Sequence, residues 1–475
     1  MSFSLKNPKR RFWAIAQEPR ARFWILAVFL FGVALLGGSS RADSLATLII
    51  RPLSFIVIAY AVLIIGRDQL SSIRIPLALL FGLSGLAALQ LLPLPPSIWS
   101  ELPGRAEILE MYHVAEMTPP WLPLALSPSR ATNALMSMSI PLAGLLLFAV
   151  QDHESRKRGW SLVWVLVLIS VIVGMAQLAG SGGRGLYFHR ITNPGLPVGL
   201  FANRNHQALF VCIGILLAAA KFATDSRGRR SFAFVATLSL GSLLVFVPFL
   251  LTIGSRAGLI IGSTLLLPSF ALVYFAVQQR SKSGRKSFSP QMQKIGFGLL
   301  VSTAVAIIVA AIAFSRSLSF DRLVEKGGGD AIRSETLPIV AQMTIDSLPF
   351  GIGFGAFDLA YRRVEPLELL MPSYLNQAHN DWLQFILEGG ALAGVLLSLF
   401  IVWAMAASFQ VVSSSRKSLR PYGLASAGTL AAFAVASSVD YPLRVPTLSL
   451  LFAFACVQLA FDSRSNAIAV RDGEG

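Results

Sequence analysis

The sequence predicts an all-α polytopic membrane protein of about 12 transmembrane helices, with one large hydrophilic loop on the outer side. Three observations predict it. Of the 475 residues, 54% are hydrophobic and only 13% charged, about half the charged share of an ordinary soluble domain. Apolar windows of roughly 20 residues, the length a helix needs to cross the hydrocarbon core, recur along the whole chain. The basic residues concentrate in alternate connecting segments, as they do where a chain crosses a membrane repeatedly.

The windows run in order as follows. Residues 23–38 follow the basic stretch "KNPKRR". The "GGSSRAD" after them offers small residues where a signal peptide would be cut, but the long basic lead and the many later spans favour a retained first span. Residues 46–65 come next and carry Arg51 near one end. Residues 75–93, 131–150, 160–180, 206–222, 232–252, 257–277 and 295–315 are further long apolar runs. The last three are 382–405, 422–438 (Ala/Ser/Gly-rich rather than Leu-rich) and 446–461.

With an inside N-terminus, "SRKRG", "SRGRR", "RSKSGRK" and "SRKSLR" all fall on the cytoplasmic side. The net charge of +16 therefore mostly orients the chain. No basic patch is interleaved with aromatics on a soluble domain, which argues against a nucleic-acid partner. Cys212 and Cys456 both fall inside predicted spans, so neither a disulfide framework nor a CxxC metal site is available.

Two outer segments are long enough to fold over the membrane. Residues 94–130 are rich in Pro and Trp and read as interfacial. Residues 316–379 are the large hydrophilic insertion, with amphipathic helices expected at 330–346 and 356–370. Between these, "SLPFGIGFGAF" places Gly351, Gly353 and Gly355 at turn-permitting positions. That run follows no strand of a βαβ unit, so it reads as a tight backbone passage, with Phe350, Phe354 and Phe357 packing at the membrane surface, rather than a dinucleotide loop. No repeat of fixed period is visible, which weighs against transporters built on inverted repeats.

Several familiar chemistries are absent. There is no P-loop, no HExxH, no nucleophile elbow and no DxD-type carboxylate pair. The polar groups that remain lie mostly on one side: His113, His189, His206 and His379 are outside, and only His153 is cytoplasmic. Outer arginines include Arg184, Arg190, Arg204, Arg256, Arg333 and Arg444. Positive-inside physics disfavours cations there, and arginine matches phosphate bidentately without deprotonating, so the set suggests a phosphate or diphosphate ligand.

Each has a bland reading beside it. Arg256 in "LLTIGSRAGLIIG" could be an anchor whose charge reaches the interface, and Arg333 in "AIRSET" a solvated charge on a loop helix. In "GLFANRNHQALF", Asn205 could be an N-cap and Arg204 an interface anchor. Asp440 and Arg444 in "DYPLRVP" read as a local salt bridge. In "NQAHNDWLQFILEGG", Asp381 and Gln384 resemble a capping box, placing the helix start at Asp381. Positions 381, 384 and 388 then share a face, carrying Gln384 and Glu388 inward, where a carboxylate must find a partner. His379 and Asn380 stand in the loop ahead, where a histidine has no packing reason to be.

These residues, in this order, resemble the O-antigen ligase and polymerase superfamily. "AHNDWLQFILEGG" is similar to its H-N-x-x-L-Q-x-x-x-E-x-G signature, preceded by "GLFANRNH", "SRAG" in a short outer turn, and a large outer loop with an Arg and "DSLPFGIGFGAF". Ala393 stands where the family usually has a glycine. The resemblance covers roughly 195–405 and does not separate ligases from polymerases. It divides the chain into a cytoplasmic start (1–22), N-terminal helices with loop 94–130 (23–194), the ligase-like core with loop 316–379 (195–405), and two last helices with a cytoplasmic tail (406–475).

The resemblance implies a C-type glycosyltransferase architecture in the bacterial inner membrane, working at the periplasmic face without cofactor or metal. Such enzymes move a glycan from undecaprenyl diphosphate to a sugar hydroxyl, on lipid A core for a ligase or on a second carrier-linked repeat for a polymerase. Arg256 and Arg333 match the family's two arginines and would clamp the diphosphate, with Arg204 in support. His379 would be the general base. Asn380, Gln384 and Glu388 would position the helix that presents it. A transporter or flippase for a lipid-linked anion is the competing class; it would need arginines but no loop histidine.

Overall fold

The computed structural model describes residues 17–41, 44–180, 186–226, 232–283, 289, 291–292, 298, 302, 329–370, 374–415 and 420–471. The expected span at 295–315 lies mostly outside them. The chain is an all-α bundle, and nine of its described helices are long and apolar enough to cross a membrane. It is a multi-pass membrane protein.

The helices are α1 (Pro19–Leu36), α2 (Thr47–Ile64), α3 (Arg74–Leu89), α4 (Pro128–Ala149), α5 (His153–Ala179), α6 (Arg204–Asp225), α7 (Phe232–Ile253), α8 (Arg256–Lys282), α9 (Gly329–Ser347), α10 (Asp381–Ser415), α11 (Pro421–Ser437) and α12 (Pro446–Arg471). Their starts obey simple rules. Proline opens α1, α4, α11 and α12, where its missing N–H costs nothing. Side chains of Asp152, Asn203 and Ser255 cap α5, α6 and α8.

One expected span comes out short. The third stops at Leu89 because the chain turns into a two-residue strand, β1 (Pro93–Leu94), paired antiparallel with β2 (Leu122–Pro123). The eleventh, α11, has the length expected at 422–438, shifted by one residue. The first expected loop helix is α9. The second, at 356–370, is instead a helix at Phe357–Tyr361 and a 3₁₀ turn at Leu367–Leu369. Pro366 separates them, because a proline disfavours helical backbone in the residue before it.

Between its polar first turn and Lys221, α6 is apolar on all faces, and it is buried along almost its whole length, as a central helix must be. It packs against α5, α7, α8 and α11, while α12 packs on α4, α10 and α11. Arg51 is accommodated in α2 because Nη2 donates to Asn133 Oδ1 (2.7 Å) and Ser137 Oγ (2.9 Å) on α4.

Helix ends expected on one side do meet at one end of the bundle. Gly37, just past α1, accepts from Thr447 at the start of α12, and Gly38 accepts from Ala202 ahead of α6. At the other end, Arg22 and Gln69 both donate to Val150 O. Loop 94–127 joins the first end: Leu126 N–H donates to Ile352 O, and Ala125 N–H to Gln90 O.

Candidate functional site

α10 starts at Asp381, as expected, but its cap is the residue before. Asn380 Oδ1 accepts the Leu383 N–H (3.0 Å), so the capping box read at Asp381 is displaced by one residue. That frees the Asp381 carboxylate to accept from Arg444 Nε (3.0 Å). His379, ahead of the cap, sits at φ 51°, in the left-handed region that a residue with a Cβ avoids and that often marks a functional constraint.

His379 is pinned from two directions. Gln384 Oε1 accepts the N–H of Ala378 (2.8 Å), and Gln384 Nε2 reaches both Gln377 Oε1 (2.6 Å) and Glu388 Oε1 (2.9 Å). Glu388 Oε2 accepts from Arg444 Nη2 (3.2 Å). Two buried carboxylates thus share one guanidinium, and the local salt bridge expected between Asp440 and Arg444 is replaced by this trio. Arg444 is drawn down because an unpaired Glu388, fully buried, would be costly.

Asp440 goes elsewhere. Its Oδ1 lies 3.2 Å from His379 Nδ1, and its Oδ2 accepts from Asn205 Nδ2 (2.7 Å) and Asn203 Nδ2 (3.3 Å). His206 Nε2 is 3.9 Å from Oδ1, and the Tyr441 ring lies against both imidazoles. A carboxylate accepts, so Nδ1 of His379 carries the hydrogen, and the tautomer that this selects has its lone pair on Nε2. The side chain retains 14% exposure, enough for a reactant to reach it.

Asn205 is not the cap it resembled; Asn203 fills that place, and the Asn205 amide bridges two elements. Its Oδ1 accepts from Ser255 Oγ (2.8 Å). Ser255 in turn caps α8, whose first residue is Arg256. Three hydrogen bonds therefore connect the Arg256 turn to His379. Arg204 joins the same patch: a Cβ built on Gly254 would lie 3.8 Å from Arg204 Nη1, and Gly254 has φ +66°.

Of the residues the sequence singled out, His379, Arg204 and Arg256 are gathered at this end of the bundle. Asn380 caps α10, and Gln384 and Glu388 support the His379 loop from one and two turns deeper. Arg333 lies on α9, with its side chain outside the described residues. Val340 of α9 packs with Ala378 and Leu387, and Arg333 lies seven residues before it, about 10 Å along the helix axis. Asp440 and His206 were missed as functional groups. Asp440 carried a signal, being an aspartate in a short loop beside a span, but its partners are remote in sequence.

The "GIGFGAF" run is the tight passage expected, and its partner is α10. Gly390 breaks that helix at φ 66°, ψ −159°. Segment 349–353 lies across the break: Ile352 N–H donates to Leu387 O, Gly353 N–H to Glu388 O, and Ala391 N–H to Pro349 O. Cβ atoms on Gly390 and Gly351 would meet backbone at 2.2 and 2.6 Å. Phe354 and Phe357 are buried within the protein rather than at its surface; only Phe350 is exposed.

Cys212 and Cys456 are buried and unpaired by disulfide. Among the described residues, no three His, Cys, Asp or Glu side chains group so as to hold a metal ion. No family model matches the sequence, and no curated protein matches it significantly.

Proposed function

We propose that this chain transfers a glycan from undecaprenyl diphosphate to a sugar hydroxyl at the periplasmic face of the bacterial inner membrane, with lipid A core as acceptor. The observation that supports it most is the His379–Asp440 pair, tied through Asn205 and Ser255 to the turn bearing Arg256. An imidazole and the turn that carries Arg256 thereby share one hydrogen-bonded frame at one end of a membrane bundle, which is what a base and a diphosphate clamp would need.

The chemistry balances with these groups. The acceptor oxygen attacks the anomeric carbon and forms the new C–O bond. The bond from that carbon to the diphosphate oxygen breaks, and the electron pair leaves with the carrier. The hydroxyl proton passes to His379 Nε2, and the Asp440 carboxylate offsets the positive charge that develops on the ring. Arg256, with Arg204 and Arg333 in support, would hold the departing diphosphate, whose growing charge fixed cations stabilise. Attack opposite the leaving group inverts the anomeric centre.

The test is reconstitution of the full chain in liposomes with undecaprenyl-diphosphate-linked glycan, offering lipid A core and a second carrier-linked repeat separately. One shifted band with lipid A core is the expected product. A ladder on the carrier-linked repeat would replace ligation by polymerisation. Movement of carrier between leaflets without transfer would replace both by transport. Turnover lost on adding chelator would reveal a cation in the reaction.

A further inference from the structure

Asp440 is buried, 2% exposed, and donors converge on it from three parts of the chain. His379 Nδ1 (3.2 Å) and the Tyr441 N–H (3.0 Å) reach Oδ1. The side-chain amides of Asn203 and Asn205 reach Oδ2. A carboxylate has only lone pairs to offer, so each of these groups must present hydrogen to it. For a backbone N–H that is automatic. For a histidine or an asparagine it selects one of two arrangements. The Asn205 bond is the shorter of the two amide bonds, 2.7 Å against 3.3 Å, and it leads on into another helix.

The direction of the remaining bonds follows from that one. With its nitrogen on Asp440, Asn205 has its oxygen toward Ser255, 2.8 Å from Oγ. An amide oxygen accepts, so the single hydroxyl hydrogen of Ser255 is committed to it. A lone pair of the same Oγ takes the Gly258 N–H (3.0 Å) in the first turn of α8. Hydrogens therefore point one way, from the start of α8 through Ser255 and Asn205 to Asp440. Turning the amide over would set its oxygen against a carboxylate oxygen, so the partners fix the assignment. At the far end the consequence is a choice of ring nitrogen. Nε2 of His379 can take a proton only while the hydrogen sits on Nδ1, and which nitrogen holds it is set by what the other one meets. Asp440 keeps one oxygen on Nδ1 while Asn205 holds the other.

We propose that Asn205 is a positioning residue: it holds Asp440 so that His379 keeps its hydrogen on Nδ1, and through Ser255 it keeps the turn bearing Arg256 in register with that ring. The bearing of this on transfer rests on the function proposed above; the tautomer does not.

The test reads the tautomer directly. The full chain with isotope-labelled histidine is reconstituted in liposomes, and its ring nitrogens are observed by solid-state NMR at alkaline pH, where an unperturbed imidazole is neutral. The His379 signals are those missing from His379→Gln. Wild type should carry the His379 hydrogen on Nδ1. Asn205→Leu, of similar size without polar atoms, should show it on Nε2 in most molecules. Its kcat for transfer should fall about tenfold, less than the loss on removing the base itself. Ser255→Ala cuts the chain beyond Asn205, so the tautomer should stay while KM for the carrier rises about threefold. Ser255→Thr keeps the hydroxyl and should restore that KM. A His379 hydrogen on Nε2 in the wild-type protein overturns the proposal without any variant, and so does an Asn205→Leu protein that keeps the Nδ1 tautomer. Because the NMR needs no turnover, the expected tautomers in a chain that transfers nothing would refute the proposed function and leave the role of Asn205 standing. Transfer with a tautomer that ignores Asn205 would do the reverse.

Discussion

Two polar networks leave the first turns of α10 for the same short loop before α12, and they are built for different ends. Arg444, Asp381, Glu388 and Gln384 form a closed set in which each charge meets a fixed partner. His379, Asp440, Asn205 and Ser255 form an open one: the chain of bonds ends at an imidazole that is partly exposed and held on a disfavoured backbone conformation. Closed networks hold a fold, whereas strained backbone clusters at functional sites, which is the reading proposed for the open end.

The sharpest way to break this comparison is to remove the open end. His379→Ala should lower transfer by about 10²–10⁴-fold, the range of general-base catalysis, with the unfolding temperature of the purified protein nearly unchanged. A large loss of stability would make His379 structural. The closed network should answer in the opposite sense. Arg444→Ala leaves two carboxylates unpaired and should destabilise by about 3–5 kcal/mol, read as a drop in thermal midpoint and in folded yield. A variant that melts like wild type would show that the trio is dispensable.

The glycine break offers a smaller and cleaner contrast along one helix. Gly390→Ala forces a side chain into left-handed backbone with a carbonyl 2.2 Å away, and should cost at least about 1–3 kcal/mol. Gly394→Ala, four residues on with nothing within 4 Å, should be neutral or stabilise by up to about 1 kcal/mol. Equal effects would mean that the segment 349–353 is not seated in the break.

The smallest effect concerns pH. His189 has a pKa lowered by burial in the folded protein, so the unfolded chain binds a proton more readily. Its contribution to stability is complete above the unfolded value near 6.5 and is lost as pH falls through the folded one. Thermal stability of wild type should therefore decline between pH 7 and 5 more than that of His189→Gln.

How much of this was legible in the sequence follows from the range of each interaction. Spans were readable because twenty apolar residues identify themselves without reference to any other part of the chain, and their boundaries were mostly set by local caps and prolines. The exceptions are instructive. The third span ended early because Pro93 pairs with Pro123, and the cap slipped from Asp381 to Asn380 because Asp381 was claimed by Arg444, 63 residues away. Asp440 was passed over for the same reason: its amide partner Asn205 is 235 residues distant, while Arg444 stands close by and suggested itself. The glycines of "GIGFGAF" announced a close backbone approach, but nothing local could say that Leu387 and Glu388 were the surfaces approached.

Gly390 has a consequence for how the protein is made. The first turns of α10 offer the carbonyls of Leu387 and Glu388 to Ile352 and Gly353, and bare carbonyls are poorly tolerated in hydrocarbon. These turns therefore gain their full set of partners only when the preceding stretch has doubled back onto them. Biogenesis of this corner is a joint event between a membrane crossing and the residues synthesised just before it, so a lesion on either side of the seam should strand both during synthesis.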